Sequence, residues 1–110
     1  MYTAFFQGTN PVLELYIDKD ICKVEAIEEI IVSIAQGSKQ IKRDISSVLI
    51  NKEKNTVNVL LTEEETKRFS ASVVNVQAKF KVKGSDIIHC THKYPFRVLT
   101  SQIREGLGDD

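Results

Sequence analysis

The chain has 110 residues, and its 15 Lys and Arg balance its 15 Asp and Glu, so the formal net charge is zero. This length fits one domain over residues 1–110, with a core large enough to fold without disulfides or metal ions. Because the chain lacks the long-range positive field that gathers nucleic acid or anionic lipid, we expect neither as a partner.

The two cysteines, Cys22 and Cys90, are too few for a disulfide scaffold. No charged and then apolar leader opens the chain, so we expect synthesis and folding in a reducing cytoplasm, with both thiols free. No apolar run approaches the ~20 residues of a membrane helix, and we expect no membrane span.

The first two predicted elements are short strands. Residues 2–6 are apolar and end at the turn 7–11, where Gly8 permits a positive φ and Pro11 pushes Asn10 toward an extended conformation. Residues 12–17 alternate between two faces and predict a second strand, which the polar residues 18–20 close.

Residues 24–36 fit two templates. Their apolar residues match a helical stripe, and part of the same segment matches strand alternation. We favour a strand over 26–36, because its centre is β-branched and the turn chemistry of 36–39 leads into a second alternating piece, 40–44.

A second hairpin and one helical turn follow. Residues 48–51 and 56–61 flank a polar turn and predict two paired strands. Thr62 and Glu65 then stand at the spacing of a capping box, which predicts a short helical turn near 62–69.

Residues 72–84 carry the clearest pattern in the chain. Apolar side chains occupy one face of a period-two alternation, and polar or charged side chains occupy the other. We therefore expect a long strand buried on one face. After a turn at Gly84, residues 87–94 are expected to pair with it, with Pro95 limiting the ladder and 96–99 forming a last strand.

Many short strands with one brief helix predict an all-β fold, an Ig-like antiparallel β-sandwich. Residues 103–110 are polar and contain glycine, so we expect them to form a flexible or partner-contacting tail.

Three groups of residues are candidates for metal binding, catalysis or phosphate binding. On a strand, His89 points to one face while Cys90 and His92 share the other, so we expect no metal site but two surface histidines beside a buried thiol. Consecutive glutamates at 28–29 and 63–65 diverge too much for glycosidase chemistry. Lysines on one face of residues 79–83 lack interleaved aromatics, so we expect a solvated face or a lysine-guarded sheet edge, with binding of an acidic partner as the alternative. We expect no enzyme, cofactor or metal.

Three stretches, residues 6–11, 61–69 and 98–107, resemble small uncharacterised prophage proteins of Firmicutes, and residues 32–39 resemble the early hairpin of that group. Those proteins are in turn similar to the N-terminal β-sandwich domain of phage baseplate upper proteins. The resemblance covers most of the chain and rests on turns and helix caps.

What the resemblance implies is a non-enzymatic structural protein, made in the bacterial cytoplasm, that is a tail or baseplate component of a phage or prophage. Its partners would be tail or baseplate proteins or further copies of itself, and incorporation into the virion tail is a further expectation. No catalytic residue carries over, and we expect no small-molecule substrate.

Apolar and aromatic residues near the chain ends are the expected partner contacts, because strand addition and docking are easiest there. They are Tyr2, Phe5, Phe6, Phe96, Val98, Ile103 and Leu107. The alternative function is a small carbohydrate- or ligand-binding module on the same fold, with Tyr16 and Tyr94 as its aromatic side chains.

Overall fold

In a computed structural model, which describes residues 4–102, the chain forms two packed β-sheets, one 3-10 turn (Val24–Ala26) and one short helix, α1 (Glu63–Arg68). The strands are β1 (Ala4–Phe6), β2 (Val12–Tyr16), β3 (Ile27–Gln36), β4 (Lys39–Asp44), β5 (Leu49–Asn51), β6 (Thr56–Leu60), β7 (Val73–Val82), β8 (Ile88–Cys90) and β9 (Tyr94–Leu99). The predicted all-β sandwich with a single helical turn near 62–69 is therefore confirmed.

The larger sheet has the order β1-β9-β7-β3-β4, with β8 paired to the C-terminal half of β7, and the smaller sheet has the order β2-β6-β5. Neighbouring strands in residues 4–102 run antiparallel except β1 and β9, which are parallel. The first and last strands of the sandwich thus lie side by side.

The ladder between β3 and β7 forms the middle of the larger sheet. It pairs Val32 with Ala78 and Ile34 with Val76, and all four side chains are buried. The smaller sheet faces them with the inward residues of β2 and β6, among them Leu15 and Val57. The inward set that alternation predicted for residues 72–84 is the buried set up to Phe80, while Val82 is partly buried at the margin.

The strand interpretation of residues 26–36 is confirmed, with the strand starting at Ile27 after the 3-10 turn. A register shift between Ile27 and Glu29 marks a bulge at the start of this strand. The β3–β4 hairpin turns at Gly37, whose φ of +59° is the left-handed conformation that glycine adopts without steric cost.

Residues 88–90 and Tyr94 pair antiparallel with β7 as predicted for residues 87–94, but the prediction of one continuous strand there is wrong. Thr91 separates β8 from β9: its Oγ1 accepts the Ala78 amide at 3.0 Å, and its carbonyl accepts Gln77 Nε2 at 2.9 Å. The Thr91 side chain therefore accepts a β7 amide in place of a backbone carbonyl, and residues 91–93 are not part of a strand.

Pro95 does not limit the ladder, because β9 continues through it to Leu99. Pro95 lies opposite Asn75, and the bond from the Val98 amide to the Ser72 carbonyl fixes the alternation of the two strands. By that alternation the Pro95–Asn75 pair is a non-hydrogen-bonded one, so the missing N–H removes no bond to β7.

Thr66 connects α1 to the turn after β1. Its buried hydroxyl oxygen accepts the amides of Gly8 and Thr9 at 3.0 and 3.1 Å and lies 2.9 Å from the Thr9 carbonyl. One side chain thus makes hydrogen bonds with several backbone groups of the turn, which are not paired within a β-sheet.

Replacing Thr66 by Val keeps the shape but leaves two amides without their acceptor, so we expect a loss of about 2–4 kcal/mol in the free energy of unfolding. Urea denaturation measures it. The matched control is Thr100→Val at an exposed position, which should change stability by less than ~0.5 kcal/mol. A Thr66→Val protein as stable as the control would contradict this role.

Glu65 joins α1 to the larger sheet. Its carboxylate accepts the Thr62 amide at 2.9 Å, completing the predicted capping box, and it also accepts Arg43 of β4 at 2.5 and 2.6 Å. Partial burial opposes the charged form, but the bonds from Arg43 and Thr62 outweigh it and hold the pKa of Glu65 below its ordinary value.

A lowered pKa in the folded state gives stability above the unfolded pKa of about 4.3, and this stability is lost as pH falls through the folded pKa. Glu65→Gln keeps a capping side chain but removes the charge, so we expect a loss of about 1–3 kcal/mol at pH 7 and a shallower decline of stability below about pH 5. Denaturation midpoints between about pH 3 and 7 test this. The control is Glu53→Gln on the exposed β5–β6 turn; equal pH profiles for both variants would refute the assignment.

Candidate functional site

The structure separates the residues predicted to contact partners into three groups. Phe5, Phe96 and Val98 are at most 5% exposed and belong to the core, so their side chains are not available to a partner in the folded domain. They are buried because side chains alternate between the two faces of a strand, and all three lie on the inward face of β1 or β9. Phe6 is 51% exposed, and Tyr2, Ile103 and Leu107 lie outside the described residues.

The strands that carry the described contact residues, β1 and β9, nevertheless meet at one edge. Phe6 is the register partner of Leu99 in the parallel pairing of β1 with β9, and the Gln7 amide continues it by donating to the Leu99 carbonyl at 2.9 Å. Since β1 ends the order of the larger sheet, Phe6 lies at its margin. We call Phe6 and the backbone of β1 the terminal edge.

A cleft of about 190 Å³ opens at one end of the sandwich, between the two sheets. Residues at and after the end of β2 form one wall, and residues of β7, β8 and β9 with their connection form the other. They are Tyr16, Ile17, Asp18 and Ile21 on the first side and Phe80, Cys90, Thr91, His92 and Tyr94 on the second. Tyr16 and Tyr94, the aromatic residues of the alternative function, therefore line the same cleft.

Asn55 holds the first wall of the cleft in place. It is 4% exposed, with a φ of +55°, a conformation that Asn adopts more readily than most residues. Its Nδ2 donates to the carbonyls of Ile17 and Cys22 at 2.7 and 3.2 Å, and its Oδ1 accepts the Val24 amide at 2.9 Å. The segment from residue 17 to residue 24 thus folds around one side chain. Sequence reasoning took Asn55 for an ordinary turn residue.

The two tyrosines are also connected across the cleft. The Tyr94 hydroxyl lies 3.4 Å from the Tyr16 carbonyl and donates to it, which joins the start of β9 to the end of β2. Tyr16 is 44% exposed, so its ring remains accessible to a ligand.

The prediction of a buried thiol between two histidines is wrong for Cys90, which is exposed. It lies on β8, a strand of three residues that pairs with the end of β7. His89 stacks on Phe80 with ring centroids 5.3 Å apart, while Cys90 and His92 line the cleft. Both cysteines are free, and burial raises the pKa of the Cys22 thiol.

Within residues 4–102, no group of three or more His, Cys, Asp or Glu side chains is arranged to hold a metal ion. The glutamates considered for chemistry are engaged elsewhere: Glu28 lies 3.7 Å from the Lys81 ammonium, and Glu63 lies 3.0 Å from that of Lys67. Lys81 thereby belongs to ion pairs on the face of the sheet.

Sequence reasoning missed a second surface, on the outer face of the smaller sheet. Val12 and its register partner Leu60 are 52% and 47% exposed there. Beside them, Glu14 Oε2, Thr56 Oγ1 and Asn58 Oδ1 are shielded from solvent without a hydrogen-bond partner among the described residues. Alternation placed these side chains outward, but it gives no sign that their oxygens are covered.

No protein-family model matches the chain, and no curated protein matches it. Among residues 4–102, no helix has the length and apolar character needed to cross a membrane.

Replacing Asn55 by Ala removes three hydrogen bonds and places a less tolerant residue at positive φ, so we expect a loss of about 2–4 kcal/mol. Asn55→Gly relieves the φ strain and isolates the cost of the lost bonds, and Asn75→Ala on the exposed face of β7 is the control. Chemical denaturation measures the free energy of unfolding of each variant. Asn55→Ala with control-like stability would show that the segment from residue 17 to residue 24 holds itself.

Proposed function

We propose that the chain is a non-enzymatic structural protein of a phage or prophage, a tail or baseplate component that binds other protein subunits. The sequence resemblance suggests this setting. The structural observation that carries the proposal is the terminal edge, where an exposed aromatic side chain accompanies an end strand of the larger sheet.

An end strand can receive another strand through its backbone, and an exposed Phe at the same margin adds apolar area to the contact. The strands at this edge are held in place, because the buried side chains of Phe5 and Val98 anchor β1 and β9 in the core. Binding would therefore use a preformed surface, with Phe6 as the side chain that partners bury.

The test is the absolute mass of the purified protein across a concentration series, by light scattering coupled to size exclusion. We expect a closed oligomer, such as a trimer or hexamer, which Phe6→Ser shifts toward monomer by at least about tenfold in dissociation constant. Ile87→Ser, at a 64% exposed position in the β7–β8 turn, is the control and should leave the mass unchanged.

A wild-type monomer at every concentration would exclude self-assembly and leave only a different tail subunit as partner. Co-expression with candidate phage tail and baseplate proteins then decides. Co-purification that Phe6→Ser weakens would support the proposal, and no association would overturn it.

A further inference from the structure

The charges around the cleft restrict what it can bind. Its lining contains Asp18 and His92 and no Lys or Arg. Lys19 and Lys93 adjoin lining residues in the chain, but both are exposed and neither lines the cleft. An anionic ligand would meet the like charge of Asp18 with no Lys or Arg in the lining to offset it, so the lining favours neutral or cationic groups.

The aromatic residues favour the cationic choice. The faces of Tyr rings carry the negative part of the ring quadrupole and attract cations, Arg more often than Lys. Tyr16 and Tyr94 come from different sheets and line the same cleft, which has Ile17 and Phe80 as apolar walls. A flat cation with a slim apolar stem matches this combination.

Asp18 provides the charged partner, and its position is fixed. Its Oδ1 accepts the Asp20 amide at 2.9 Å, and its carbonyl accepts the amides of Ile21 and Cys22 at 3.0 and 3.2 Å. Since no described residue uses Oδ2, the carboxylate retains acceptor capacity for a ligand. A planar guanidinium suits a carboxylate and aromatic faces better than a compact ammonium.

We propose that the cleft binds a guanidinium group, as carried by an arginine side chain. Its volume of about 190 Å³ lies below the range of about 300–1,000 Å³ typical of sites for drug-sized ligands, so it admits one slim group. This proposal does not depend on the terminal edge or on assembly.

The experiment is an NMR titration of the full chain with N-acetyl-L-arginine amide, following backbone amides. We expect saturable shifts confined to residues 16–22 and 90–94, with millimolar affinity. N-acetyl-L-citrulline amide has nearly the same shape without the charge, and we expect it to bind at least about fivefold more weakly. Methyl glucoside tests the carbohydrate alternative and should give no saturable shifts.

Two variants test the assigned residues. Asp18→Asn keeps an oxygen for the Asp20 amide but removes the charge, and Tyr16→Leu removes an exposed ring. Each should weaken arginine binding about fivefold or more, while Val73→Thr, at an exposed position at the opposite end of β7 from Phe80, should not. Methylguanidinium separates two sources of the group: weaker binding than the arginine derivative indicates a protein side chain, and equal binding indicates a small guanidinium compound.

Either of those results supports the guanidinium assignment. Equal binding of citrulline and arginine derivatives, saturable binding of methyl glucoside alone, or no saturable shift up to about 50 mM arginine derivative would each overturn it. Spectra of the variants before titration verify that they are folded, so that lost binding is not mistaken for unfolding.

Discussion

The pairing of β3 with β7 is the constraint on which the rest of the structure depends. These two strands of ten residues each hold the middle of the larger sheet, and their inward side chains form one wall of the core. A slip of one residue would turn the buried face outward, so burial itself fixes the register. The positions of β9, β8 and β4 follow, because each pairs with one of these two strands.

Long-range side-chain bonds then fix the parts that the ladders leave loose. Thr66 holds the turn after β1, Glu65 joins α1 to Arg43 of β4, and Asn55 organises the segment between β2 and β3. Each places a polar group where backbone donors or acceptors would otherwise be unpaired. Each proposed binding surface adjoins one of these bonds: the terminal edge adjoins that of Thr66, and the cleft adjoins that of Asn55.

Much of the fold could be predicted from local patterns: alternation identified the buried face of β7, and turn chemistry and the Thr62–Glu65 spacing located the β3–β4 hairpin and α1. The terminal edge and the cleft could not be predicted in this way. Alternation states which face of a strand is buried, but not which strand is its neighbour, so nothing in the sequence brought Tyr16 to Tyr94 or placed β1 beside β9. The strand break at Thr91 depends on a contact with Ala78, thirteen residues away, and burial of Phe5, Phe96 and Val98 depends on the sheet that they join.

If β3 and β7 form one stable ladder that carries the less stable parts, native-state hydrogen exchange will reveal it residue by residue. We expect hydrogen-bonded amides in the paired stretch of β3 and β7 to exchange slowest, only on global unfolding, while amides of residues 18–22 and 91–93 exchange through local opening. Slowest exchange in the smaller sheet, with early exchange across β3 and β7, would contradict it.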